Sequence, residues 1–358
     1  MNKPIRIGIV GLGWVSTHRH IPAIRKNPSL KLVGIADRNA ELAAQWAKKL
    51  GVSGSAADDI EEISWISDVD AVTVATAPMS HYKLISGAIR RGKHVITEKP
   101  FAMSVAEGEE LVELARLYGT RLSVVHNFQF ASAVRRFEAD LNSGRIGRIR
   151  AILAHQLGNP ARRLPTWHDQ LPGGLFYDES PHLLYLTRKL SPGQLRLLFV
   201  DHCSSTLGKT TPASIDASYR SATPYGEIPV TISCRFESPL SEWHIVVLGD
   251  NAAGIIDIFR NIYIRLPNDG SHRSTQVLKT SLLATLSHWG QHFTNGPLHL
   301  SGKLLYGNDV VYSQFSQAIH EQREPSGISR NDALDVLRMQ WEILDHSTTS
   351  LLLSETAL

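Results

Sequence analysis

Within the first 127 residues, short β-branched runs alternate with stretches of helical period, and this alternation constrains the chain more than any other feature. It is the pattern that builds a parallel sheet through βαβ crossovers. Strand candidates fall at 5–10, 31–36, 71–76, 94–98 and 121–127. Between them, 39–50, 81–92 and 104–119 carry apolar residues at helical spacing, and the last opens on Ser104 and Glu107, spaced to satisfy orphan N-terminal donors. From about residue 149 the texture changes. Segments 149–157, 195–203, 213–222, 227–237, 243–249, 254–259 and 261–266 read as longer strands joined by turns, the signature of a mostly antiparallel sheet. Segments 307–322 and 330–347 return to helix.

After the strand at 5–10 comes Gly11-Leu12-Gly13-Trp14-Val15-Ser16, and a helical pattern follows. In a dinucleotide fold the first glycine makes the tight turn, the second lets the backbone approach a pyrophosphate, and the third position packs helix on strand. Ser16 stands at that third position, a small residue for a small one. Alone, such a run is equally an ordinary strand-to-helix turn. The second strand adds the deciding context: it ends in Ala36-Asp37-Arg38, where an acidic side chain accepts hydrogen bonds from the adenosine ribose and repels a 2′-phosphate. Asp37 therefore favours NAD. Arg38 leaves NADP open, since a guanidinium there can stack on adenine or hold a 2′-phosphate if Asp37 swings away. Capping the helix at 39–50 is a compatible second task for Asp37. Gly11, Gly13, Trp14, Val15, Asp37 and Arg38 are the cofactor contacts expected from this loop.

At 358 residues the chain exceeds the roughly 250–300 at which single cores stop growing. Two domains follow: an α/β Rossmann domain over 1–127, and an α+β domain over 128–358 with a large, open, mostly antiparallel sheet, the last helices packing back on one of the two. A net charge of +3 with scattered basic residues offers no nucleic-acid footprint. No run of about 18 uncharged apolar residues suggests a membrane span, and the N-terminal residues enter a strand directly, so a cytoplasmic location is expected. Cys203 and Cys234 form no CxxC pair, so neither a disulfide framework nor structural zinc is indicated. His126, His155, His168 and His182 lack the short spacing of metal ligands, and no metal is expected.

At the end of the fourth strand candidate stands Glu98-Lys99-Pro100. Carboxyl ends of parallel strands are where open α/β sheets place their ligands. This motif, together with Val69-Asp70-Ala71-Val72, Ala75-Thr76-Ala77-Pro78, His81, Gly144-Arg145-Ile146-Gly147, Trp167 and the run from Gly173-Gly174 to Asp178 and His182, resembles the Gfo/Idh/MocA family of sugar and polyol oxidoreductases over nearly the whole chain. The resemblance implies that Thr76, Ala77, Pro78, His81, Glu98 and Lys99 join the cofactor site. It further implies that Lys99 bonds the reacting hydroxyl, that His182 of a D-x-x-x-H motif with Asp178 is the acid/base, and that Asn127 and Trp167 line the substrate site. A homodimer or homotetramer through the C-terminal sheet, acting on a small sugar or polyol, is implied with it.

The chemistry is sound on its own terms. Oxidising a secondary alcohol needs a hydride acceptor and a group that removes the hydroxyl proton, and histidine titrates near neutral pH. Asp178 and His182, four apart, share one face of a helical turn, provided Pro181 lies in that helix's first turn. Ser180-Pro181 and Gln129 depart from the family pattern, which commonly has glycine and arginine there. Competing readings are a non-catalytic dinucleotide-binding regulator, expected to lose Lys99 or His182, and an NAD-dependent glycosidase, distinguished by sugar release without net NADH. Residues 277–293, with Leu278, Leu282, Leu283, Leu286 and Trp289, are expected to pack in the core or at a subunit interface rather than on a membrane.

Overall fold

The computed structural model describes residues 3–355. In chain order the elements are β1 (Ile5–Val10), a π-helical turn (Ser16–His20) running into α1 (Ile21–Lys26), β2 (Leu30–Asp37), α2 (Ala40–Leu50), β3 (Ser53–Ala56), β4 (Ala71–Val74), α3 (His81–Arg90), β5 (His94–Thr97), α4 (Val105–Leu117) and β6 (Leu122–Val124). There follow α5 (Ser132–Asn142), β7 (Ile149–Leu157), α6 (Leu175–Leu190), β8 (Leu195–Cys203), β9 (Ser214–Thr223), β10 (Gly226–Arg235), β11 (Glu242–Gly249), β12 (Ala252–Asp257), β13 (Ile262–Pro267), α7 (Ser274–Leu300), α8 (Asn308–His320) and α9 (Arg330–Glu355). The chain divides into two compact units. One holds the residues up to Asn127 with Gly307–Trp341, the other Phe128–Tyr306 with the residues from Glu342 onward.

In the first unit the sheet runs β3-β2-β1-β4-β5-β6, every pairing parallel. Helices cover a parallel sheet on both faces, so its strands are apolar throughout rather than alternating; β4 is buried along its whole length and β1 at every position but Arg6. Trp65 lies across β1 and β2, its Nε1 donating to the Ile35 carbonyl at 2.9 Å. Gly8 and Gly34 leave the room it needs: a Cβ on either would sit 2.0 or 2.3 Å from the indole. The β1–β2 register shifts between Ile7 and Gly8, where this ring presses in. The α4 cap is made as the Ser104–Glu107 pair predicts on one side, the Glu107 N–H donating to Ser104 Oγ at 3.2 Å. Glu107 in turn accepts from Met103 N at 2.9 Å, one residue before the cap.

The last helices supply the remaining cover. Tyr312 of α8 meets Thr73 in the middle of β4, hydroxyl to hydroxyl at 3.1 Å, and the Ile328 carbonyl accepts from Val124 on the β6 edge at 3.0 Å.

In the second unit the sheet runs β13-β12-β11-β7-β10-β9-β8, antiparallel except for the β7–β10 pair. Strands alternate in burial: Ile152, Ala154 and Gln156 of β7 face inward while Leu153 and His155 face the other way. α6 packs on the inner face and is buried without a break from Leu175 to Thr187, charged residues included. Pro181 lies well inside this helix, past its first turn, contrary to the expectation from sequence. It cannot donate to the Tyr177 carbonyl, and the helix accepts that lost bond because its flanks are fully packed. The segment 277–293 belongs to α7, and its leucines and tryptophan are exposed, so of the two expected placements the core is ruled out and the subunit interface is left.

Candidate active site: a glycine loop, a buried Glu–His pair and a buried histidine helix

The glycine loop closes on the β2 carboxylate. Asp37 accepts from Leu12 N at 2.7 Å through one oxygen and from Asn39 N at 2.9 Å through the other. Asp37 thus ties the turn after β1 to the end of β2, and Asn39, not Asp37, caps α2 by accepting from Leu42 N at 3.0 Å. Gly11 holds a φ of +94°, and a Cβ there would stand 2.5 Å from the Ala75 carbonyl, so only glycine fits. A Cβ at Gly13 would meet nothing within 4 Å. That open space above backbone, at the start of a helix whose first N–H groups have no intrahelical acceptor, is the cradle a pyrophosphate fills. Ser16, fully buried, donates to the Gly11 carbonyl at 2.6 Å and braces the turn from within. Trp14 and Val15 are exposed beside the loop, with the Arg19 guanidinium 4.8 Å over the Trp14 ring, and Arg38 is exposed next to Asp37. The loop leaves room for a dinucleotide near the Asp37 carboxylate.

The π-helical turn has a consequence that no periodicity in the sequence announces. It turns His20 inward, fully buried, with Nε2 3.0 Å from a Glu98 carboxylate oxygen and its ring edge-on to Tyr312. Such turns are frequent at functional sites. The other Glu98 oxygen accepts from Lys99 N at 3.1 Å. Burial pushes the Glu98 carboxyl up, but the His20 hydrogen bond and the charges of His20 and Lys99 outweigh it and hold the group below its ordinary value. Lys99, half-buried, leaves the carboxyl end of β5 beside this pair.

His81 is sealed from solvent. Its Nδ1 lies 2.8 Å from the Pro100 carbonyl and its Nε2 3.1 Å from that of Thr76, and burial pushes its pKa down. The residue expected to contact cofactor instead ties the turn after β4 to the turn after Lys99. Pro78 is buried under it, while Thr76 and Ala77 are half-exposed. Asn127 is buried at the end of this unit.

In the second unit, α6 carries Asp178 and His182, both buried. His182 Nδ1 lies 2.9 Å from the Tyr185 hydroxyl one turn on, and that hydroxyl accepts from Phe128 N at 3.1 Å. The imidazole is walled by Phe128 at 4.8 Å and Trp243 at 5.2 Å between ring centroids. Tyr185 is a neighbour that sequence reasoning missed; its i+3 spacing from His182 was the available signal. Glu179 pairs with Arg162 and accepts from Gln156, pinning the loop that bears Trp167, which is half-exposed. His168 Nδ1 lies 2.7 Å from the Pro165 carbonyl within that loop, and His155 faces away from α6 on the sheet. Among the described residues Glu242, His244 and Asp257 bring ligand atoms within 4.8 Å of one another, but the Arg260 guanidinium pairs with both carboxylates. Arg148 and Arg150 share Asp250, and Arg145 pairs with Asp140.

Residues 5–126 match the model of a family described as an oxidoreductase family with an NAD-binding Rossmann fold. Over this domain the chain is similar to the Gfo/Idh/MocA oxidoreductases. Among the family's characterised members, the 1,5-anhydro-D-fructose reductase of Ensifer adhaerens is 34% identical over 181 residues, 49% of this chain and 54% of that protein. The dTDP-3,4-didehydro-2,6-dideoxy-alpha-D-glucose 3-reductase of Actinomadura kijaniata is 33% identical over 154 residues, 42% and 45% respectively. The chain thus spans about half the length of these Gfo/Idh/MocA relatives. Solved structures extend the likeness in fold: the WlbA dehydrogenase from Bordetella pertussis, in complex with NADH and UDP-GlcNAcA, superposes with a TM-score of 0.77 at 18% identity over 98% of this chain and 97% of its own. KijD10, a 3-ketoreductase from Actinomadura kijaniata in complex with TDP-benzene and NADP, does so at 0.70 and 19% over 97% and 98%.

Proposed function

We propose that this chain is an NAD(P)-dependent oxidoreductase interconverting CH–OH and C=O at one carbon of a sugar, cyclic polyol or sugar derivative. The observation that carries the reading is the Asp37 clamp on the glycine loop, which leaves a cradle for a dinucleotide within a domain of this family. A nicotinamide dinucleotide bound there supplies or accepts the hydride. Lys99 donates to the substrate oxygen and stabilises the negative charge that develops on it. His182 takes the hydroxyl proton in oxidation and returns it in reduction, with exchange at Nε2 because Nδ1 is engaged by Tyr185. Asp178 supports the imidazolium that forms, and Asn127 and Trp167 line the substrate site. Asp37 favours NAD over NADP.

We also place the working enzyme in the cytoplasm, as a homo-oligomer through the open face of the C-terminal sheet; Cys203 and Cys234 are both free thiols. The test is reduced-nicotinamide absorbance on a panel of inositols, hexoses, sugar acids, nucleotide sugars and glycosides. Net NADH formation or consumption on one member supports the reading. Dinucleotide binding without any turnover transfers it to the regulator, and sugar release without net NADH to the glycosidase.

A further inference from the structure

The 27-residue helix α7 is amphipathic in the reverse sense. Its polar side faces the protein. Gln291 accepts from Tyr263 N at 2.8 Å and donates to the Tyr263 carbonyl at 2.6 Å, covering the outer strand β13. Asn295 donates to the Asn261 carbonyl at 2.7 Å, and Arg136 donates to Gln291 at 2.6 Å. On the opposite side Leu278, Leu282, Leu286, Trp289 and Phe293 form one stripe at steps of four, four, three and four residues, each 55–71% exposed. The polar anchors fix which way the helix faces, so the stripe cannot turn inward. At about 100 Å² of apolar surface per side chain the stripe presents on the order of 500 Å² per copy, the upper range for the largest patch on a monomer. Two such stripes bury about 1,000 Å², the threshold of a specific interface.

We infer that α7 pairs antiparallel with α7 of a second copy of this chain across a two-fold axis. The pattern is self-complementary about a centre between Ser287 and His288: Leu282 falls opposite Phe293 of the partner subunit, and Leu286 opposite Trp289 of the partner subunit. Leu282 and Leu286 therefore each meet an aromatic ring, large against small, and the same two contacts repeat across the axis, as an isologous interface requires. The stripe carries no charge, and Lys279 is the sole Lys, Arg, Asp or Glu on α7, so two copies approach without repulsion. The same scarcity of lysine and arginine disfavours a membrane surface, where a basic polar face is needed.

The test is sedimentation of the full chain beside Leu282→Glu/Phe293→Glu, with NADH binding and thermal unfolding as controls for folding. The double variant is expected to show half the wild-type mass while both controls hold. In a Cys203→Ser background, Leu286→Cys/Trp289→Cys is expected to give a covalent dimer on mild oxidation. An unchanged mass together with no cross-link overturns the inference, as does a wild type that is monomeric and sediments with zwitterionic phosphatidylcholine vesicles.

Discussion

Asp37→Asn isolates the loop clamp with the least disturbance of shape. The carboxylate makes two charge-assisted bonds to backbone donors, 2.7 Å from Leu12 N and 2.9 Å from Asn39 N. An asparagine oxygen keeps one of them, and its NH2 faces the other donor without being able to accept. On the ribose side the variant exchanges a charged acceptor for a neutral one, and bonds to charged groups contribute roughly 1.5–3 kcal/mol against about 1 for neutral pairs. The difference, about 1–2 kcal/mol, corresponds to roughly a 5- to 30-fold weaker NADH complex. Removing the carboxylate also relieves its repulsion of a 2′-phosphate, so NADPH is expected to bind as well as before or better. Fluorescence titration of both nucleotides reads the two numbers directly. Unchanged NADH affinity with unchanged preference would refute the placement of the ribose at Asp37.

The Glu98 carboxyl is held below its ordinary value, so its contribution to stability is complete above about pH 4.3 and is lost as pH falls through the lower value of the folded state. Glu98→Gln should therefore flatten the fall of urea-unfolding stability between about pH 5 and 3. It should also cost about 1–2 kcal/mol at pH 7, where the buried His20 Nε2 exchanges a charged acceptor at 3.0 Å for a neutral amide. Tyr185→Phe removes the hydrogen bond at His182 Nδ1 without emptying the pocket. The account expects kcat to fall about tenfold with a displaced pH–rate profile and KM little changed, whereas a purely structural tyrosine would lower the melting temperature and leave the profile in place. Gly34→Ala forces a Cβ to within 2.3 Å of Trp65 and is expected to cost about 1–3 kcal/mol in chemical denaturation.

The sheet of the first unit was legible because its strands are buried on both faces and read as β-branched runs, and the second because its strands alternate. β3 escaped: Ser53-Gly54-Ser55-Ala56 has no β-branched residue and pairs along one side only, so neither propensity nor period marks it. The loop glycines and Asp37 could be read from spacing. His20 could not, since its inward direction depends on a π-helical turn that adds a residue to the helical period. The motif gave His81 a place in the fold but not its burial, which depends on the carbonyls of Thr76 and Pro100 converging on it. Pro181 was misjudged because helix rules assume a solvated helix, and α6 is held by packing along its length. The stripe on α7 was visible as a pattern, but a helical period does not say whether its apolar side faces in or out.

The measurement that bears most directly on the central claim is a paired one on Lys99→Ala: the dissociation constant for NADH, and turnover on whichever sugar or polyol the wild type accepts. The account predicts NADH binding within a few-fold of wild type and turnover reduced by about 10²–10³, the loss typical of one donor to a developing oxyanion. Turnover equal to wild type in the variant, or a wild type that binds neither NADH nor NADPH, would contradict it.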